Sequence, residues 1–311
     1  MFTLKQLITE FLEHLKFEKG LNQLTIRNYD FYLKSFLAWA KIKQPKEIDL
    51  DLVRQYKLWL AKQQNRRGGN FSAATQNYYL IALRSFLRYL AKRGVKTLTP
   101  EKIELAKISK EISFLRGDNL EKFLNMPLQV DQQEIIKFRD KAILELLFST
   151  GLRISELTNL KRQDINLTED KFSIKGKDGK WRTVFLSNRA RYWLKRYLEK
   201  RIDFDSSLFI RHDRGQKEVD QKEPKNKLSP RSIQRLIKKY VKIAGLTEKI
   251  TTHSLRHSFA VNLLAAGVNL QTIQKLLGHK NITTTQIYTR IANQDLKKIY
   301  QAFHDKIKKS H

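Results

Sequence analysis

The polar residues that could carry chemistry lie mostly in the second half of the chain. His253 and His257 are four residues apart on a predicted helix, a spacing that suits two zinc ligands. However, Ser254 stands where a metalloprotease motif would place its glutamate, and Arg256 on the same helix would oppose a divalent cation. A metal site is therefore disfavoured, and no metal or other cofactor is expected.

Short segments that combine arginine, lysine, histidine and tyrosine follow one another along this half. They are Thr150–Leu157 (TGLRISEL), Gly176–Lys180 (GKDGK), His253–Ala260 (HSLRHSFA), Leu276–His279 (LLGH) and Thr283–Tyr288 (TTTQIY). In these segments, residues 113–311 resemble the catalytic domain of the tyrosine recombinases, the family of phage integrases and Xer-type recombinases. The order and separation of the segments make the resemblance specific. The helical region before them is similar, in helix count and size, to the core-binding domain of that family.

The resemblance implies an active site made of two arginines, a hairpin lysine, two histidines and a tyrosine. The matching residues are Arg153, Arg256, Lys177, His253, His279 and Tyr288, all present here. Glu156 matches an acidic position that supports the site, and Lys180 is a second candidate for the lysine. The implied activity is that of a site-specific DNA recombinase, which cuts and rejoins strands through a covalent 3′-phosphotyrosyl bond at Tyr288. His257 is interpreted as structural, satisfying a buried hydrogen bond behind Arg256.

Phosphodiester chemistry also favours these residue types. The phosphate repels nucleophiles, and more negative charge develops in the transition state. Without a metal, fixed cations must stabilise that charge, and a guanidinium can bind two oxygens at once. The 5′-oxygen leaves poorly unless it is protonated, and Lys177 could donate that proton if its pKa is lowered. His253 is expected to shuttle a proton or bind the phosphate, and His279 to donate a second hydrogen bond to it.

These residues must be positioned by a mainly helical fold with a small β-hairpin, an α+β class. Helices are predicted at about 118–126, 137–149, 188–201, 229–244, 253–266, 270–277 and 284–291, with a terminal one from about 293. Strands at Lys171–Lys175 and Thr183–Leu186 flank the pair Asp178–Gly179, which suits a hairpin turn. The polar stretch Arg211–Pro230 is predicted to be an exposed loop.

Residues 1–95 are predicted to form a small, basic, all-helical core-binding domain. Apolar spacing predicts helices over about 4–15, 25–41 and from 52 towards the turn at 66–70, and a fourth from Ser72, its N-cap, to Arg93. Gly20 and Gly94 are the predicted stops. The stretch 96–112, which contains Pro100, is interpreted as a linker to the catalytic domain at 113–311.

The charge balance indicates a polyanionic partner. There are 61 Lys and Arg against 31 Asp and Glu, a formal net charge of +30, and such an excess repels itself in the compact state. Nucleic acid is favoured over an acidic membrane surface or a compositional bias of the genome.

The absence of cysteine excludes disulfides, thiolate metal sites and a cysteine nucleophile. No apolar run approaches the roughly 18 residues of a membrane span, and the N-terminus lacks signal-peptide features. A soluble, cytoplasmic protein is expected.

The expected partner is double-stranded DNA that carries a specific recombination site, bound by a synaptic tetramer as the resemblance implies. A related recombinase or accessory proteins remain open as further partners, and no membrane partner is expected. The segment from about Gln294 to Lys309 resembles the helix that such proteins exchange between protomers; its apolar residues are Leu296, Ile299, Phe303 and Ile307.

Two alternatives stay open beside the recombinase. The recombinase-like segments disfavour a type IB topoisomerase, and the intact set of site residues disfavours a non-catalytic architectural protein. The target sequence cannot be read from the chain. Roles in chromosome dimer resolution, integration or excision of mobile DNA, transposon movement and inversion also stay open. The lack of an obvious arm-binding domain favours a Xer-type protein.

Overall fold

The computed structural model describes residues 3–65, 68–108, 112–176, 179–212, 226–279, 281 and 285–288. The chain divides into two compact units, Met1–Lys110 and Glu111–His311, and each has an apolar core of its own. Lys177, most of the predicted polar loop and the predicted C-terminal exchange helix lie outside the described residues.

The first unit is built from four main helices, as the apolar spacing predicts. They are α1 (Leu4–Phe17), α2 (Gln23–Ala40), α3 (Leu50–Lys62) and α4 (Ala73–Lys92). Each begins after a residue whose side chain accepts a hydrogen bond from the first turn, and these N-caps are Thr3, Asn22, Asp49 and Ser72. Such caps satisfy backbone N–H groups that have no partner within the helix. Gly94 follows α4 with a positive φ of 68°, which ends the helix at the predicted place.

The segment interpreted as a linker, 96–112, packs against the first unit over much of its length. Leu98 and Ile103 are buried in the core of that unit. The Asn77 side chain exchanges two hydrogen bonds with the backbone of Ala106, at 2.9 and 3.0 Å. The apolar residues of this segment are too sparse to show a periodicity, yet Leu98, Ile103 and the partly buried Leu105 pack in the core. The domain limits given above stay a prediction.

The second unit contains the helices and strands that position the candidate site. They are α5 (Gly117–Gln129), α6 (Glu134–Thr150), α7 (Ile154–Asn159), β1 (Lys171–Lys175), β2 (Trp181–Phe185), α8 (Asn188–Glu199), α9 (Pro230–Ile243), α10 (Thr252–Ala265) and α11 (Leu270–Leu277). Residues 285–288 are also helical. The short helix α7 is not predicted from the sequence, and α5 continues through Pro127 beyond its predicted end.

Helix α6 lies at the centre of this unit and packs against α5, α8 and α10. It is buried on several sides, and even its charged residues Lys141 and Glu145 are enclosed. These two pair with each other, with Lys141 Nζ 2.6 Å from Glu145 Oε1. Lys141 also donates to Asn125 of α5 at 2.7 Å, and Glu145 pairs with Arg189 of α8, so these paired buried charges tie α6 to both neighbouring helices. The segment that follows α6 therefore leaves from a firmly held end.

The two strands form an antiparallel hairpin with Lys171 opposite Phe185 and Lys175 opposite Trp181. Its inner face carries Phe172 and Val184, which are buried in the core of the unit. Strand β2 also packs against α6 and α11. The predicted fold class, mainly helical with a small sheet, is confirmed.

No helix among the described residues combines the length and the apolar character that crossing a membrane requires.

Candidate active site

The junction between α6 and α7 positions Arg153. Gly151 ends α6 in the left-handed conformation, with φ of 59°, and Arg153 takes the N-cap place of α7. Glu156, one turn later, accepts a hydrogen bond from the Arg153 backbone N–H at 2.8 Å and another from its guanidinium, also at 2.8 Å. A second guanidinium nitrogen donates to the Gly278 carbonyl at 3.0 Å. The side chain stays 28% exposed, so solvent and ligands can reach it.

Arg256 lies behind Arg153, on α10, and is almost fully buried. It donates from Nη1 to the Gly151 carbonyl at 2.6 Å and from Nη2 to the carbonyl of Leu277. Burial, followed by the charge of Arg153, lowers the pKa of Arg256 to about 9, so the group is still cationic at neutral pH. Each terminal nitrogen of a guanidinium carries two hydrogens, so each keeps one for a bound anion.

Glu156 is the carboxylate of this cluster, and its second arginine partner is Arg182 on β2. Arg182 donates to both carboxylate oxygens, at 2.9 and 2.7 Å. Burial alone would raise the pKa of Glu156. The hydrogen bonds from Arg182 and from the Arg153 backbone outweigh burial and lower the pKa to about 2. Glu156 is therefore ionised at any physiological pH.

The C-terminal end of α11 meets all three arginines. Successive carbonyls at its end each accept a hydrogen bond from a different guanidinium: Leu276 from Arg182, Leu277 from Arg256 and Gly278 from Arg153. The last carbonyls of a helix have no partner within it and carry partial negative charge. They offset part of the repulsion between the arginines and hold the guanidiniums together.

His279 follows this helix end directly. Its Nδ1 lies 3.0 Å from the Thr285 hydroxyl oxygen. Burial, and then the charges of Arg256 and Arg153, lower the pKa of His279 to about 4, so the ring is neutral at pH 7. His253, in the first turn of α10, is exposed and interacts electrostatically with His257.

Tyr288 lies in a small apolar cluster with Ala260, Val261, Ile273 and Leu277 and is 1% exposed. Its hydroxyl oxygen is 2.9 Å from Nδ1 of His257. Burial raises the pKa of Tyr288 to about 12, although the nearby charge of Arg256 acts in the opposite direction. In this arrangement the phenol is protonated, and its oxygen is paired with an imidazole.

His257 is interpreted from the sequence as structural, satisfying a buried hydrogen bond behind Arg256, and the structure shows that the partner in this hydrogen bond is the hydroxyl of Tyr288. Burial, followed by the charges of His253 and Arg256, lowers the pKa of His257 to about 4. The neutral ring can accept the phenolic proton in a hydrogen bond. Nothing in the sequence indicates this contact, because His257 and Tyr288 are 31 positions apart.

Arg182 is the other site residue that sequence reasoning missed, and a signal for it exists. It shares the inward phase of β2 with Val184, whereas Trp181, Thr183 and Phe185 are exposed. An arginine at an inward position of a strand needs a buried partner. Of the two hairpin lysines, Lys180 is exposed and Lys177 lies outside the described residues.

The site therefore brings together Arg153, Arg256, His279, Tyr288 and the supporting Glu156. Among the described residues no cluster of three or more His, Asp or Glu is arranged to hold a metal ion. The arrangement presents two partly satisfied guanidiniums, a neutral imidazole and a phenol, which is a set suited to a phosphate ester.

Two family descriptions match the chain. Residues 113–295 match the Phage integrase family, and residues 8–94 match the Phage integrase, N-terminal SAM-like domain. Among curated proteins, the chain is 34% identical over 307 residues to Tyrosine recombinase XerC of Thermodesulfovibrio yellowstonii, covering 96% of this chain and 95% of that one. It is 31% identical over 314 residues to Tyrosine recombinase XerD of Vibrio cholerae, covering 96% of each.

Solved structures share the fold. XerH site-specific recombinase bound to a palindromic difH substrate, in a post-cleavage complex, matches with a TM-score of 0.69 at 24% identity, covering 96% of this chain and 85% of that one. A lambda integrase dimer bound to a COC′ core site also matches with a TM-score of 0.69, at 19% identity, covering 92% and 95%. The architecture of both units is thus one that is found in DNA-bound proteins.

Proposed function

Since the chain belongs to the phage integrase family and is a tyrosine recombinase of the Xer type, we propose that it cleaves DNA with the hydroxyl of Tyr288. The observation that carries this proposal is the convergence of the site residues on the end of α11. Arg153 and Arg256 donate to the carbonyls of Gly278 and Leu277, His279 follows directly in the chain, and Tyr288 packs in one cluster with Leu277. These residues come from separate segments of the chain, so only the fold brings them together around one anion-binding place.

In the proposed reaction Arg153 and Arg256 bind the non-bridging oxygens of the scissile phosphate. Both are held by carbonyl acceptors, so they need little reorganisation when charge develops in the transition state. Loss of either guanidinium should cost about 3–4 kcal/mol of transition-state stabilisation, by analogy with an oxyanion hole. Once Thr285 donates to Nδ1 of His279, the ring proton lies on Nε2, which can donate to the same phosphate. His253 is proposed to shuttle a proton or to bind the phosphate.

The covalent step exchanges one phosphoester bond for another. The oxygen of Tyr288 attacks phosphorus as its proton passes to Nδ1 of the neutral His257, 2.9 Å away, and the bond from phosphorus to the 5′-oxygen breaks. The 5′-oxygen takes a proton, for which Lys177 is the proposed donor and Lys180 the alternative. The product is a 3′-phosphotyrosyl diester and a free 5′-hydroxyl. A 5′-hydroxyl of a partner strand rejoins the DNA by the reverse reaction, so the step needs neither ATP nor a cofactor.

DNA with a recombination site is the proposed partner, and surface charge supports this. Helix α9 carries exposed cations at Arg231, Arg235, Lys238 and Lys242, and its sequence contains no carboxylate. These positions recur on one face of the helix, so they can follow a phosphate backbone. For about 6–10 phosphate contacts, the affinity should fall by roughly 10³–10⁵ between 50 and 200 mM salt.

We further propose that the protein works as a synaptic tetramer on two DNA sites. The segment from about Gln294 to Lys309, which resembles the exchanged helix of the family, lies outside the described residues. Deletion from Asp295 onward is expected to abolish cooperative assembly on DNA while binding of one protomer persists. Cooperative assembly by the truncated protein would remove the exchange proposal.

A suicide substrate tests the cleavage proposal. A duplex is selected by binding from a randomised library and nicked at successive positions, so that one nick releases a short fragment and traps the covalent complex. Wild-type protein is expected to form an adduct that resists denaturation. Tyr288→Phe, which lacks only the hydroxyl, should bind the same duplex and form none. Adduct in Tyr288→Phe would point to another nucleophile.

The identity of the proton donor is tested on the same duplex with sulfur in place of the 5′-bridging oxygen. A thiolate leaves without protonation, so a variant that lacks the donor should recover on the sulfur substrate. Lys177→Ala is expected to do so, and Lys180→Ala serves as its matched control. Recovery of Lys180→Ala alone would assign the role to Lys180.

A further inference from the structure

The side chain of Arg182 is held by more contacts than an ordinary surface charge on a hairpin. Its side chain is 11% exposed and makes contacts with two other elements. Nη1 and Nη2 donate to the two oxygens of Glu156, at 2.9 and 2.7 Å. Nε donates to the Leu276 carbonyl at 3.1 Å. The guanidinium therefore joins β2 to α7 and to the end of α11.

Glu156 makes this contact relevant to Arg153. The same carboxylate binds the backbone N–H and the guanidinium of Arg153. If Arg153 were its sole cation, the pair would be neutral and Arg153 would offer a phosphate little net charge. With Arg182 also bound to the carboxylate, the cluster of two guanidiniums and one carboxylate stays cationic. Arg182 thus both fixes Glu156 and offsets its charge.

The backbone beside His279 is shaped around Arg182. Gly278 has a φ of +63°, and a Cβ built on it would lie 3.0 Å from Cδ and 3.2 Å from Nη1 of Arg182. A side chain at this position would push the Arg182 side chain away by a few tenths of an ångström. The close approach keeps the end of α11, and His279 after it, against the arginine cluster.

We propose that Arg182 is a positioning residue for strand cleavage: it holds Glu156 and the end of α11 so that Arg153 and His279 are directed at one phosphate. Its Nε and one hydrogen on each terminal nitrogen are bound to Leu276 and Glu156, and a loss of DNA affinity in the test below would reveal a direct contact with the phosphate instead. This inference rests on the proposed function. A lysine cannot substitute, since an ammonium lacks the planar fork that binds both carboxylate oxygens.

The test measures single-turnover adduct formation on the suicide duplex. Arg182→Ala and Arg182→Lys should both slow the reaction on the order of 10²-fold, the effect expected for a misplacement of about 1 Å. The dissociation constant for the same duplex should stay within about 3-fold, because phosphate contacts elsewhere supply most of the affinity. An Arg182→Lys variant that forms the adduct at the wild-type rate would overturn the proposal. A large loss of affinity for the duplex in Arg182→Ala would also overturn it.

A double-mutant cycle separates positioning from a merely structural role. If Arg182 acts through Glu156, Arg182→Ala combined with Glu156→Gln should react no more slowly than Glu156→Gln alone. Losses that multiply would mean that Arg182 acts elsewhere. Arg182→Ala should be equally slow on the sulfur substrate, because the defect lies at the phosphate; recovery there would assign Arg182 to the leaving group and overturn the proposal.

Arg189→Ala is the matched control. Arg189 also bonds two glutamates of the second unit, Glu121 and Glu145, and neither is a site residue. It should lower the thermal stability and leave the rate of the folded protein unchanged. An equal loss of rate in Arg189→Ala would show that any lost ion pair has this effect. Adduct formation by the wild type, and its absence in Tyr288→Phe, tests the proposed function. The ratios of the variant rates to the wild-type rate test this inference separately.

Discussion

Gly151 offers a direct measure of how tightly the candidate site is packed. It ends α6 with a positive φ of 59°, and its carbonyl accepts a hydrogen bond from Arg256 at 2.6 Å. In Gly151→Ala the new Cβ would lie 2.6 Å from Cδ1 of Phe259 and 2.9 Å from Cδ2 of Leu277. Both side chains would have to move, and Leu277 is the last residue of α11.

The cost has two parts that a control variant separates. A left-handed backbone costs alanine about 1–2 kcal/mol, and overpacking adds about 1–3 kcal/mol, so Gly151→Ala should lose about 2–5 kcal/mol. Gly245, just after α9 in the same unit, has a φ of +65° and no atom within 4 Å of a built Cβ. Gly245→Ala should therefore lose only the first part, about 1–2 kcal/mol.

Urea unfolding of the full chain, followed by far-ultraviolet circular dichroism and tryptophan fluorescence, measures the difference. The transition of the first unit, which contains neither glycine, is the internal reference. Adduct formation by folded Gly151→Ala should also fall, because the carbonyl that holds Arg256 moves, whereas Gly245→Ala should react normally. Equal unfolding midpoints for the two variants would refute the packing argument, since they would show that Phe259 and Leu277 yield at no cost.

Two further predictions follow from the buried histidines. His257→Phe should lower the free energy of unfolding by about 1–3 kcal/mol, because it leaves the buried hydroxyl of Tyr288 without its partner; thermal unfolding should show most of this loss disappearing in the Tyr288→Phe background, and a full loss there would contradict the assignment. Burial lowers the pKa of both His257 and His279 to about 4, below the roughly 6.5 of the unfolded chain. Between these two pKa values the unfolded state binds more protons than the folded state. The stability that the neutral rings contribute is therefore fully present above about pH 6.5 and is lost as the pH falls towards 4. The free energy of unfolding should fall by about 1–3 kcal/mol, after allowing for the partial exposure of the rings. Urea midpoints at pH 7 and pH 4 test this, and an unchanged pH dependence in His279→Phe would count against it.

The main helices could be predicted because their signals are local. Ser72 caps α4 and Gly94 ends it, as spacing and residue type indicate. Helix α7 has only six residues, Ile154–Asn159, which is too short for apolar periodicity to appear. It forms where Glu156 caps the backbone of Arg153, and contacts with α9 cover it. Tertiary packing, rather than propensity, decides such elements.

Some residues of the candidate site could likewise be predicted from the sequence, and others could not. Arg153, Arg256, His279 and Tyr288 follow from recognisable segments. Arg182 and His257 do not, because their roles depend on distances between segments far apart in sequence. His257 meets Tyr288 only when 285–288 packs on α10, and Arg182 meets Glu156 only when the hairpin folds back onto α7. Residue type indicates that a buried arginine needs a partner, and only the fold identifies the partner.

Because three arginines donate to the last carbonyls of α11, DNA cleavage depends on this one short helix staying folded. α11 has eight residues, a length that is marginal in isolation. If its last turn unwinds, the acceptors at Leu276, Leu277 and Gly278 separate, and the guanidiniums lose their common anchor. Attraction between the basic surface and DNA would survive, because it needs no such order. A partly unwound molecule would then hold DNA without cutting it, so a defect in this one helix would separate binding from cleavage.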